Sequence, residues 1–334
     1  MKTQKMILGV FVVLLGLSNL TLATSSEIIT TSSYGNWGAN PSYYYNDVWN
    51  GVPLTGPNYR ERVEFNADGI WQVQGLAIGD ASNDGTRNVY TAKSYSGYAQ
   101  INEWDYAPGS GTLSNPHQMF LTLEPSVYKT RGIAVGNADN SPDGRQELIW
   151  ARQDGGNTYI FADDWNGTAL SNQRILWGPN SDYSIYGVAV GDSKNSGQND
   201  VLVAYGSSSV MVVDRFRWIG GTLVGQDRLY QTLEPDTYKI QALTVGDANG
   251  DGQNEVLLSM GVPGAYWQVK SLSWNGSSSS WDWADARPTQ LWEGDNGMGT
   301  YVSGLAITPV PEPTTVLLFL SVLTGFVVRR GRAV

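Results

Sequence analysis

Residues 74–80 read QGLAIGD. The phrase returns as RGIAVGN at 131–137, YGVAVGD at 186–192, QALTVGD at 241–247 and SGLAIT at 303–308. With Gly75, Gly132, Gly187, Ala242 and Gly304 as markers, the copies lie 57, 55, 55 and 62 residues apart. A long, nearly fixed period is the signature of a repeat architecture. Each copy is a short apolar run, the pattern of a buried strand. A second marker recurs independently, carrying Trp49, Trp104, Trp165, Trp218 and Trp274. A further strand-like stretch lies between the two markers (NDVLVAYG at 199–206, NEVLLSMG at 254–261). A fourth follows the tryptophan (RILW at 174–177, TQLW at 289–292).

Four short strands per repeat, separated by Gly, Asn, Asp and Ser turns, predict an all-β chain built as a β-propeller of four-stranded antiparallel blades. The two marker series are out of phase at the ends. Four complete blades occupy about 75 to 303, and SGLAIT supplies one leftover inner strand. EIITTSSYG (27–35), SYYYNDVWNG (42–51) and RERVEF (60–65) supply three more. Together they predict a fifth blade shared between the termini, closing the ring and removing exposed sheet edges. A linear stack of repeats is the competing arrangement.

The turn after each first strand is rich in oxygen donors. In GDANGDGQNE (246–255), Asp247, Asn249 and Asp251 alternate, the Gln253 carbonyl follows and Glu255 closes the turn. Such spacing can wrap a hard divalent cation, with glycine at the sharp bend. GDASNDGTRN keeps Asp80, Ser82, Asp84 and the Thr86 carbonyl but ends on Asn88, which implies a weaker site. GNADNSPDGRQE has two extra residues and offers Asn137, Asp139, Asp143 and Glu147. GDSKNSGQND puts Lys194 between Asp192 and Asp200, where an ammonium would take the place of a metal. Asx-rich turns also arise simply because these residues cap tight bends. Because the turns repeat around a ring, a bound ion reads as a structural staple rather than a catalytic centre.

Preceded by LTVG and flanked by strands, the 246–255 turn resembles the FG-GAP/VCBS repeat family. The resemblance implies a propeller with one or two structural calcium ions, although the best-known members have more than five blades. The chain ends carry their own signals. Lys2 and Lys5, the uncharged run 6–23, and Thr21 and Ala23 at −3 and −1 read as a signal peptide over 1–23. That leaves 24–308 for the propeller and 309–334 for a tail. Pro311, Glu312 and Pro313 open the tail; an uncharged stretch follows, then Arg329, Arg330 and Arg332. The stretch Thr314–Val328 would span only about 22 Å as a helix, short of a bilayer's roughly 30 Å core. This tail resembles the PEP-CTERM sorting signal. The resemblance implies export to the envelope, outer surface or matrix of a Gram-negative bacterium, membrane contact through the short transmembrane helix, and processing by an exosortase. An ordinary membrane anchor is the alternative.

Both ends lean basic, so the remainder is more acidic than the whole-chain net charge of −10. Such a surface repels nucleic acid and favours cations and neutral ligands. There are no cysteines and one histidine, His117, so disulfides and a zinc centre are excluded and no Ser–His or Cys–His pair suggests itself. Paired carboxylates are the remaining route to catalysis, as in a glycoside hydrolase. The acids that break the repeat (Asp105, Asp163, Asp164, Asp214 and Asp282) sit near outer turns. Seven of the 13 tryptophans recur by repeat and read as packing residues: the five markers plus Trp177 and Trp292. Trp37, Trp71, Trp150, Trp267, Trp281 and Trp283 have no counterpart and are candidate platforms for sugar rings. The expectation is a non-enzymatic binding or scaffold module with a glycan, such as exopolysaccharide, as partner. A propeller-type glycosidase is the alternative.

Overall fold

A computed structural model describes residues 27–34, 43–48, 61–64, 72–95, 98–107, 112–122, 128–207, 210–232, 239–262, 266–273, 289–295 and 300–308. These fall within the compact unit Ser26–Pro309. Every regular element among them is a β-strand. No helix among the described residues is long and apolar enough to cross a membrane. The expected signal peptide and the 309–334 tail, with Pro311, Glu312, Pro313, Arg329 and Arg330, lie outside the described residues.

Three strands open the fold: β1 (Glu27–Tyr34), β2 (Tyr43–Val48) and β3 (Glu61–Glu64). Blade 1 comprises β4 (Gln72–Gly79), β5 (Asn88–Tyr95), β6 (Tyr98–Ala107) and β7 (Thr112–Thr122). Blade 2 comprises β8 (Tyr128–Gly136), β9 (Glu147–Asp154), β10 (Asn157–Trp165) and β11 (Leu170–Asn180). Blade 3 runs through β12 (Ser184–Gly191), β13 (Asp200–Gly206), β14 (Met211–Ile219) and β15 (Thr222–Thr232). Blade 4 follows with β16 (Lys239–Gly246), β17 (Glu255–Val262), β18 (Tyr266–Ser273) and β19 (Thr289–Asp295), and β20 (Thr300–Ile307) ends the series. Each blade is a four-stranded antiparallel meander. The chain is thus an all-β propeller, as the repeat predicts. Four blades are continuous in sequence, against the five-bladed ring expected. The remaining sheet is composite, in the order β20-β1-β2-β3, with Ile28 opposite Ile307.

The markers now have physical roles. The first strand of each continuous blade shifts register at or just before its marker residue, at Val73/Gly75, Thr130/Ile133, Ile185/Gly187 and Ile240/Ala242. The pairing of β1 with β20 shifts at the matching place. The glycine that ends each phrase is a packing requirement. A Cβ on Gly136 would lie 2.6 Å from Val190 Cγ1, and one on Gly191 would lie 2.9 Å from Val245. Each blade therefore leaves room for the branched side chain of the next. Middle strands such as β13 are buried along their whole length, since a blade covers each face. This explains why NDVLVAYG runs apolar instead of alternating. The core is a set of clusters between successive sheets. Ile149 and Ile160 of blade 2 share one with Val201 and Phe216 of blade 3. β20 contributes to two of them: Leu305 packs with Leu257 of blade 4, and Ala306 with Leu76 of blade 1.

Candidate functional site: the Asp and Asn turns

In the 246–255 turn the carboxylates brace the backbone. Asp247 accepts from the amides of Gly250 (2.7 Å), Asp251 (3.0 Å) and Gly252 (2.8 Å), and Asp251 accepts from the amide of Gln253 (2.8 Å). Glu255 is only 2% exposed and accepts from the Ala248 amide at 2.9 Å. The Asn249 amide sits between Asp251 (3.0 Å) and Glu255 (3.2 Å), bringing the two acids to either side of one nitrogen. Burial, opposed by the Ala248 hydrogen bond and reinforced by the charges of Asp251 and Asp247, pushes Glu255 up to about 7.

The same frame holds in the other turns with different closing chemistry. In 80–88, Asp80 accepts from the amides of Asp84 (3.0 Å) and Gly85 (2.8 Å) and from Ser82 Oγ (3.3 Å), and Asp84 accepts from the Thr86 amide (2.7 Å). That bond holds the Asp84 carboxyl below its usual range. Asn88 cannot close the turn as an acid. It donates to Glu103 at 2.9 Å, and Tyr90 and Trp165 donate to the same oxygen. In 137–147, Asn137 and Asp139 both accept from the Ser141 amide, Asp143 accepts from the Arg145 amide, and Glu147 accepts from the Ala138 amide at 2.9 Å. Burial pushes Glu147 up to about 7 as well, with Asp139 adding to the rise.

The 192–200 turn departs from expectation. Lys194 does not hold Asp200; its Nζ lies 3.9 Å from Asp227. Asp200 is instead met by Arg215, whose side chain is 8% exposed and whose Nη1 is 3.5 Å away, and by Ser193 Oγ at 2.8 Å. Arg215 also pairs with Asp227. The cation is therefore a guanidinium from β14, reached across the sheet because Arg215 pairs with Leu202, two residues past the turn acid. The residues at the matching position are Glu103, Ala162 and Ser271 in blades 1, 2 and 4. Nothing in the 192–200 segment itself announces this. The signal was Arg215 standing within the apolar stretch MVVDRFRW.

Successive turns are hooked together by asparagine. Asn83, Asn140 and Asn195 adopt positive φ (57°, 55° and 54°). Each accepts from one backbone amide of the next turn: Gln146 at 2.7 Å, Asn199 at 2.6 Å and Asn254 at 2.7 Å. Each also donates back to the same residue's carbonyl. In the 246–255 turn Gly250 holds the hook position, and the series stops there.

Trp150 is not a platform. It is fully buried and donates from Nε1 to Asp163 at 2.6 Å. Trp37, Trp71, Trp281 and Trp283 lie outside the described residues, as does the side chain of Trp267. The repeat-breaking acids are engaged in local pairs. Asp105 accepts from Asn115, Asp164 binds Arg174 at 2.6 Å, and Asp214 is held by Tyr205, Gln226 and Arg228. Asp282 is outside the described residues. His117, half exposed on β7, points Nδ1 at Glu103 over 3.7 Å. The central cavity, about 290 Å³, is lined by first-strand aliphatics with Arg87, Asn137, Gln146 and Asn199 at its rim. No carboxylate appears among the described residues lining it.

Nor do three Asp, Glu, His or Cys side chains among the described residues stand close enough, as placed, to hold a metal. The donor set of 247–255 is nonetheless that of a hard, oxygen-ligated ion. It gathers a buried glutamate, two aspartates and an amide oxygen, with no cationic side chain within the turn.

No protein-family model and no curated protein matches the chain. Among solved structures, the chain is similar to the Dos1 propeller (13% identity, TM-score 0.36, covering 70% of this chain and 56% of that one). It is also similar to the exotype rhamnogalacturonan lyase YesX (13%, 0.34, 75% and 58%) and to a luciferin-regenerating enzyme (11%, 0.42, 82% and 79%). The chain thus spans less than two thirds of the first two. Likenesses this remote carry no functional assignment.

Proposed function

We propose that the protein is an exported, calcium-stapled propeller of FG-GAP/VCBS type. In this reading it serves as a non-enzymatic binding or scaffold module at the cell envelope or in the matrix, with exopolysaccharide as its ligand class. The composite sheet acts as a fifth blade that closes the ring. The shared bulge position in β20 and its packing against both Leu76 and Leu257 support this. The tail, as a PEP-CTERM signal, would be processed by an exosortase.

The observation that carries the staple is the contrast between turns. Asp200 has a buried guanidinium, while Glu255 is equally buried, faces Asp247 and Asp251, and has serine at the matching place on the next strand. A divalent ion held by Asp247, Asn249, Asp251, the Gln253 carbonyl and Glu255 would supply the missing positive charge. When bound it contributes structure, not Lewis-acid chemistry. The Asp139, Asp143 and Glu147 set and the Asp80 and Asp84 set would bind more weakly. The binding reading is supported by a central cavity whose described lining has no acid and by repeat-breaking acids already engaged in local pairs. Melting the full-length protein with calcium and then with chelator, alongside a panel of immobilised polysaccharides, tests both halves. A melting point indifferent to calcium would sink the staple. Retention on no glycan would leave only a scaffold.

A further inference from the structure

The inner-strand phrase is nearly constant except at its first letter, which is Gln74, Arg131, Tyr186, Gln241 and Ser303 in turn. That letter is the bulged residue of each first strand. Bulges re-aim side chains. Here they lie at the strand ends opposite the Asp and Asn turns, and Gln74 and Tyr186 line the neck of the central channel. Arg131 Nη1 is 3.5 Å from Gln74 Oε1. Arg131 and Lys239 flank the Tyr186 ring, with Cζ at 6.0 Å and Nζ at 5.3 Å from its centroid. All four side chains are partly exposed.

Charge is divided between the two ends of the blades. The four turns 80–88, 137–147, 192–200 and 247–255 hold ten carboxylates against Arg87, Arg145 and Lys194. At the opposite end, among the residues whose side chains are described, Lys93, Arg131, Arg152 and Lys239 stand against Asp154 and Asp182; the sequence of that end adds Lys129, Glu124, Glu234, Asp236 and Asp295. What needs a reason, on a chain of net charge −10, is the convergence of two cations, Arg131 and Lys239, on one tyrosine ring. The long-range field of the acids is screened within about 8 Å at physiological salt, so groups in contact decide what binds.

We propose that this mouth binds a carboxylate-bearing sugar unit of an acidic polysaccharide, refining the glycan reading above, on which it rests. Arg131 and Lys239, held in place by Tyr186, take the carboxylate, since charge-assisted hydrogen bonds are the strong ones. Gln74 and Gln241 take ring hydroxyls. The expectation of a neutral glycan, drawn from overall charge, gives way to the local arrangement.

The test is affinity electrophoresis of the full-length protein through polygalacturonate and through dextran, with Arg131→Gln/Lys239→Gln, Lys239→Gln alone and Arg145→Gln at the acidic end. The wild type should be retarded by polygalacturonate and not by dextran. The double variant should lose at least tenfold in affinity, and the single variant several-fold, both with unchanged melting points. Arg145→Gln should change affinity less than twofold. If the double variant fails to fold, Lys239→Gln alone decides. Polygalacturonate binding that survives the mouth variants, or binding of dextran instead, overturns the proposal while leaving a glycan-binding protein. Retention by neither polymer overturns the proposal, and the polysaccharide panel then decides whether the glycan reading falls with it.

Discussion

The turns at 192–200 and 247–255 share one backbone design and solve one electrostatic problem in two ways. Each begins with an aspartate that caps three backbone or side-chain donors and ends with an acid buried at the start of the next strand. In the first, the buried acid is met by Arg215 from within the blade. In the second, the facing residue is Ser271, and burial pushes the acid up to about 7; burial raises Asp200 as well, but there Ser193 and Arg215 oppose it. A repeat conserves the frame and lets the counter-charge vary. In the stapled-propeller reading proposed above, a residue outside the turn decides whether a blade takes an ion from solution.

The largest effect expected from breaking this contrast is that of Arg215→Ser, which copies blade 4 into blade 3. Leaving Asp200 buried without its partner should cost about 3–5 kcal/mol in urea unfolding, and part of that should return on adding calcium. Next is removal of the ion itself. At a hundredfold excess over its dissociation constant, calcium should add about 2.7 kcal/mol to the wild type, and Glu255→Gln should abolish most of that gain. The third effect is pH. In chelator, Glu255 and Glu147 stay protonated in the folded state up to about pH 7, whereas unfolded glutamate ionises near about 4.3. Stability from these groups is full below the unfolded value and is lost as pH rises through 7. Stability should fall across the window from about pH 4 to about pH 7, and calcium should suppress the fall. Melts between pH 4 and 8 with and without calcium would show whether the two curves diverge as expected. The smallest is Asn195→Gly, which gives the 192–200 turn the residue that 246–255 has at Gly250. It tolerates the positive φ but loses both bonds to Asn254, and should cost about 1 kcal/mol.

Much of the fold was legible because it rests on periodicity. The apolar phrase, its glycine and the tryptophan spacing reflect blade-to-blade packing, which recurs with the repeat. What escaped notice depends on neighbours far apart in sequence. The Arg215 pairing with Asp200 is set by strand register, and Lys194 was the nearer but wrong choice. Trp150 was read as a platform because it has no repeat counterpart. Its place inside the apolar ELIWA, ahead of a buried Asp163, marks it as a core residue with a polar handle. The bulges were invisible in the letters, since an extra residue shows only against its partner strand. Once the registers are known, the variable first letter of each phrase becomes the most informative position in it.

The sheet that joins β20 to β1 also sets an order of assembly. Ile28 leaves the ribosome early and must wait for Ile307 before it can pair. Each of the four continuous blades, by contrast, can form as soon as its own strands are made. Folding should therefore run as four local steps followed by one long-range seam, and loop-closure entropy makes that last step the slow one. Until then, the inner edges of blade 1 and blade 4 lack the cover that Ala306 and Leu305 provide. The chain is most exposed to misassembly in that interval.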